Sequence, residues 1–60
     1  MPSPVRFEVV KRMLQAKGYH LARVKGSHHV FKKHGAHDES VPVHKGLVKY
    51  GYVRRIEKLP

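Results

Sequence analysis

Lys25-Gly26-Ser27-His28-His29-Val30-Phe31 is the stretch whose reading decides the fold. Gly26 reaches positive φ without penalty and Ser27 bonds readily to nearby backbone, so the pair marks a turn. The residues after it read as a strand, His28 to Lys33. Side chains alternate along a strand. His28, Val30 and Lys32 therefore share one face, and His29, Phe31 and Lys33 share the other. Phe31 is the largest apolar group here, so its face is the core side. His28 then stands on an open face beside Lys32, and His29 lies on the Phe31 side near the start of the strand, partly wet.

The neighbouring segments follow from this strand. Tyr19 to Lys25 is expected to be a strand, with Tyr19 and Leu21 on one side and His20, Ala22 and Val24 on the other. Which side faces the core is left open by the pattern. His34-Gly35-Ala36-His37-Asp38 is polar and contains glycine, as a hairpin loop does. Glu39 to His44 reads as a third strand, with Val41 and Val43 inward and Ser40, Pro42 and His44 outward. Pro42 has no N–H for a ladder, which places this strand at an edge.

Both ends read as helices. Ser3-Pro4 has the form of a helix start, an N-cap serine followed by proline at the first helical position. Phe7, Val10 and Leu14 recur at helical spacing, flanked by Val9 and Met13. Gly18 ends that helix. Val53 and Ile56, with Tyr50 before and Leu59 after, predict a second helix from about Tyr50 or Gly51 to Lys58. The expected architecture is α+β, a single domain over residues 1–60. Its order is α-β-β-β-α, a three-stranded antiparallel sheet with two helices on one face. The other face, with His28, Lys32 and His44, is left open.

The charge narrows the function. Thirteen Lys and Arg against four Asp and Glu give a net charge of +9 over 60 residues. Such a field attracts polyanions, whether nucleic acid, an acidic protein or an anionic membrane, and nucleic acid suits a small basic chain with an apolar core best. No apolar run approaches the roughly 20 residues of a membrane span, and the first residues lack the order of a secretory signal. There is no cysteine, which excludes a disulfide framework and a Cys-based zinc site and fits the cytoplasm. Six histidines raise the question of metal. His34 and His37 are close in sequence and His44 approaches them across the hairpin, but no cysteine or convergent carboxylate completes a ligand set. Neither a metal nor another cofactor is expected.

Several pieces together resemble the HicA-type toxins of bacterial toxin–antitoxin pairs, small ribonucleases that cut messenger RNA. Ala16-Lys17-Gly18-Tyr19 is similar to the family's step from helix to glycine and aromatic. Lys25-Gly26-Ser27-His28-His29-Val30-Phe31 is similar to its Gly-Ser-His signature followed by an aromatic. Val41-Pro42-Val43-His44 is similar to its Val-Pro-x-His strand. Gly51-Tyr52-Val53-Arg54-Arg55-Ile56 resembles its closing helix, where Gly-Thr is more usual than Gly-Tyr. The resemblance implies a fold like a double-stranded-RNA-binding domain and a metal-independent endoribonuclease acting on mRNA. It also implies a cognate, acidic HicB-type antitoxin as protein partner.

The family's catalytic histidine aligns with His28. Histidine suits RNA cleavage because both its protonation states are populated near neutrality. His28 is assigned as general base or general acid, with Lys25 and Lys32 holding the phosphate and Ser27 positioning one of its oxygens. His44, of the same face parity one strand away, is a candidate second acid–base group. His29 becomes the candidate should the register slip by one. His20, His34 and His37 read as solvated, and Lys11, Arg12, Arg54, Arg55 and Lys58 as solvated helix faces. A non-catalytic RNA-binding module of the same fold is the competing reading, and a His-rich metal binder a third.

Overall fold

A computed structural model describes residues 3–60. Helix α1 spans Phe7–Ala16 and buries Val10 and Leu14 completely. Phe7 and Met13 pack at the margin of the same apolar stripe, while Val9 points to solvent. At its C-terminus the Gly18 amide donates to the Gln15 carbonyl and the Tyr19 amide to the Leu14 carbonyl, both at 3.0 Å. Gly18 takes φ +93°. That is the paired Schellman closure, in which glycine supplies the left-handed residue.

The N-terminus of α1 differs from the sequence expectation. The helix starts at Phe7 rather than after Ser3, and its capping position is Arg6 with no side-chain cap. Val5–Arg6 form a short strand, β1, paired antiparallel with β5 (Leu47–Val48), Val5 opposite Val48. The Phe7 amide donates to the Gly46 carbonyl at 2.8 Å. Cross-strand bonds here take up the backbone groups that a cap at Ser3 would have served.

The main sheet has the order β2-β3-β4, all antiparallel, from His20–Lys25, His28–Lys32 and Glu39–Pro42. Strands β2 and β3 turn through Gly26 and Ser27, with Lys25 opposite His28. Gly26 has φ +58°, the sign a II′ hairpin needs at its first central residue. Phe31, fully buried, lies between Leu21 on one side and Glu39 on the other. The expected parity of β3 holds: Phe31 and His29 face the core and His28 faces out. Lys33, just beyond β3, keeps the same parity, with Nζ 5.5 Å from the centroid of the Tyr19 ring.

Two features of the sheet depart from simple alternation. The register of β2 shifts between Leu21 and Arg23, which oppose Phe31 and Val30 respectively. Two steps on β2 against one on β3 make a bulge at Ala22. Beyond it Val24 opposes His29 on the core side and Arg23 moves to the open side. The grouping of His20, Ala22 and Val24 on one face is therefore broken. The third strand also ends at Pro42 instead of His44. The Val43 amide still reaches the Ser27 carbonyl at 2.7 Å, but His44 and Leu47 exchange both backbone bonds at 2.9 Å across Lys45 and Gly46.

Helix α2 (Tyr50–Glu57) covers the core beside α1, burying Val53 and Ile56. Both helices thus lie on one side of the sheet. With Val41, Val48 and Tyr19 they close a single apolar core. This α+β arrangement is consistent with the double-stranded-RNA-binding-domain-like fold expected. Lys17 ties the helices together, its Nζ donating to the Leu59 carbonyl at 2.6 Å. Arg55 is not merely a solvated surface group. Its Nη2 lies 3.3 Å from Oε1 of Glu39, a residue only 7% exposed. A carboxylate that deep requires a charged partner, and α2 supplies it.

The Lys45–Gly46 turn carries a testable strain. Lys45 has φ +53° and Gly46 φ +77°, the double positive φ of a I′ turn. A lysine held in the left-handed region is destabilising by about 1–2 kcal/mol, and asparagine tolerates that region. Lys45→Asn is therefore expected to raise the urea midpoint at unchanged slope, by about 0.5–1 kcal/mol of stability. A lowered midpoint would show that Lys45 contributes more than its backbone strain removes.

Candidate nucleic-acid interface

Residues directly opposite one another on antiparallel strands point to the same face. The register therefore writes the open face of the sheet as three rows. Nearest the turn stand Lys25, His28 and Pro42; then Arg23, Val30 and Ser40; then His20 and Lys32. His20, Arg23, Lys25, His28 and Ser40 are exposed, and Val30, Lys32 and Pro42 half-exposed. The helices lie on the other side, so among the described residues nothing covers these rows.

His28 is fixed by its position beside the turn. Its Nδ1 lies 3.4 Å from Oγ of Ser40, its diagonal neighbour one strand over. Lys25 stands directly across from it on β2. Ser27, half-buried, uses its backbone carbonyl to hold the start of the segment after β4. Lys32 is farther away: four residues along a strand are about 13 Å, and its Nζ pairs with Asp38 at 3.4 Å. Lys25 is thus His28's immediate cationic neighbour, and Lys32 marks the far end of the same face.

The other candidate histidines lie elsewhere. His29 is half-buried on the core side, its ring centroid 4.5 Å from that of Phe7. Its Nδ1 is buried without a hydrogen-bond partner. His44 is exposed, two residues beyond the Pro42 that opposes His28, in the isolated bridge to Leu47. Among the described residues no group of three or more His, Asp or Glu is placed to share a metal ion, and no helix is long and apolar enough to cross a membrane.

One contact of this face and one of its members escaped the sequence. Ser40 has the right parity, but only the register reveals that it reaches His28. Arg23 was hidden by the bulge at Ala22, for which the residues carry no sign. The electrostatics are lopsided as well. Of the four carboxylates, Asp38, Glu39 and Glu57 each lie within 4.0 Å of a cation, so the remaining positive charge is widely exposed.

Comparison with known proteins agrees with the resemblance noted in the sequence. A family model described as the HicA toxin of bacterial toxin–antitoxin pairs matches residues 8–59. That span includes all of α1 but its first residue, the Gly-Ser-His turn, all three strands of the main sheet and α2. Searches of curated proteins and of solved structures found no match. With the family model covering nearly the whole chain, the protein belongs to the HicA toxin family of bacterial toxin–antitoxin systems.

Proposed function

We propose that the chain is a metal-independent endoribonuclease that cuts mRNA at the open sheet face, with His28 as its acid–base group. The observation that carries this reading is His28 itself, exposed, flanked by Lys25 and in contact with the Ser40 hydroxyl. When Nδ1–H donates to Ser40, Nε2 is left with its lone pair toward solvent. That is the tautomer needed to remove the ribose 2′ proton. The freed 2′ oxygen attacks the adjacent phosphorus, the bond from phosphorus to the 5′ oxygen breaks, and the leaving oxygen takes up a proton. The products are a 2′,3′-cyclic phosphate and a 5′-hydroxyl end. Lys25 stands where it stabilises charge developing on the phosphate oxygens, with Ser27 as a further contact at the turn. Lys32 holds the substrate farther along, and His44 and His29 are the other candidate proton carriers.

Family membership implies an antitoxin. The partner that fits is an acidic, HicB-type protein covering the open face. A net charge of +9 speeds association with a partner of opposite sign. Binding only the native state would also stabilise a domain of marginal size.

The test is cleavage of a long mixed-sequence RNA by the purified protein in excess EDTA, beside the same RNA carrying 2′-deoxy sugars at the mapped cut sites. Cutting of the first, survival of the second and cyclic-phosphate ends are expected. Equal cutting of both would exclude attack by the 2′ hydroxyl. RNA bound but never cut would make the protein a non-catalytic RNA-binding module.

A further inference from the structure

We infer that the open sheet face is a track for a single RNA strand, with Arg23 as a phosphate-binding residue one row from His28; the inference rests on the ribonuclease reading above. The bulge at Ala22 makes the track. Without the extra residue, Arg23 would share the parity of Leu21, which opposes Phe31 on the core side. With it, Arg23 opposes Val30 on the open side. The face then carries a cation in each row: Lys25 beside His28, Arg23 in the middle, and Lys32 across from His20 at the end.

Successive rows are two residues apart, about 7 Å, a spacing similar to that between consecutive phosphates of an extended strand. Among the described residues Arg23 is in no ion pair, whereas Lys32 is partly neutralised by Asp38. The middle row therefore presents the stronger anion site. The other side chains of that row, Val30 and Ser40, leave Arg23 as its only charge. No Phe, Tyr or Trp stands in the three rows; the planar groups left for a base to stack on are His20, His28 and Arg23, and such stacking discriminates little between bases. Three strands are only about 10 Å across, a width that suits one backbone better than the paired backbones of a duplex. The occupant these features select is a single RNA strand held by its phosphates, with little dependence on base identity.

The track is tested with the full chain carrying His28→Ala, so that the probe survives. Binding of a short oligouridylate is measured across a salt series, with and without Arg23→Gln. Arg12→Gln, the loss of another exposed charge, on α1, is the comparison, and circular dichroism checks that each variant is folded. One lost phosphate contact to a single strand lowers the salt slope by about 0.7. That decrease is expected for Arg23→Gln and not for Arg12→Gln. Equal decreases in both would overturn the track, leaving only a diffuse positive field. Lost affinity for an acidic antitoxin with unchanged RNA binding would also overturn it, making Arg23 a protein-docking residue. If the parent cuts RNA while Arg23→Gln keeps its slope, the track fails and the ribonuclease reading stands. If neither parent nor His28→Ala protein binds RNA, both fail.

Discussion

His28→Ala protein is expected to lose RNA cleavage in EDTA by about 10²–10⁴-fold, the usual contribution of a positioned acid–base side chain. Its affinity for RNA should change little, because phosphates are held by Lys and Arg and the lost imidazole is not needed for that term. His28 is exposed on a strand otherwise anchored by Phe31, so the fold should survive the change, as surface substitutions generally shift stability by no more than about 0.5 kcal/mol. The informative companions are His44→Ala and His29→Ala. If His44→Ala is the inactive variant and His28→Ala cuts normally, the site has been placed one strand too far in. His29→Ala separates differently. Removing a ring packed on Phe7 should lower thermal stability, with cleavage lost only in step with folding. Full loss of activity in a folded His29→Ala protein would move the catalytic role across the strand.

Phe31→Ala should produce the largest change in stability. Phe31 has no exposed surface, sits in the second half of β3 between Leu21 and Glu39, and shares one core with the buried residues of both helices. Truncating a buried phenylalanine costs about 3–5 kcal/mol, through lost transfer energy and the cavity left behind. Domains of this length have about 3–9 kcal/mol in total. The variant is therefore expected to be largely unfolded at room temperature, seen as loss of the cooperative thermal transition. Val24→Ala is the control, since Val24 has the same parity but is 53% exposed and its loss should be minor. A Phe31→Ala midpoint close to the parent's would mean that the core does not depend on this strand.

The parts of the fold legible in the sequence were those that repeat. Val10 and Leu14 mark the α1 stripe, Val53 and Ile56 the α2 stripe, and Phe31 sets the parity of β3, because burial imposes a period that a short window reveals. The two-residue pairing of Val5–Arg6 with Leu47–Val48 is too short to have a period. The serine and proline before it matched a helix start that the backbone satisfied another way. The bulge at Ala22 had no signature, since any residue can be the extra one. Glu39 looked like an ordinary polar end of a strand, and its burial became intelligible only once α2 brought Arg55 to it. At the candidate site His28 and Lys32 stand on the expected face, and Lys25, whose side the pattern left open, faces the same way. The hydroxyl of Ser40 and the guanidinium of Arg23 arrived through register, a property of two strands together.

The pairing of β1 with β5 bears on the order in which the chain acquires its shape. The β2–β3 hairpin joins near neighbours and closes on the microsecond scale of such turns. Val5 and Val48 can meet only after nearly the whole chain has been brought together, at the entropic cost of a long loop. With so few ladder bonds to offset that cost, β1 should be the last element to dock and the first to fray. Amide hydrogen exchange would display this as early loss of protection at Val5 and Val48 while Phe31 remains protected. During synthesis on a ribosome, α1 would be made before β5 and lack its N-terminal anchor until Leu47 and Val48 emerge. The fold would be completed only after β5 has left the ribosome.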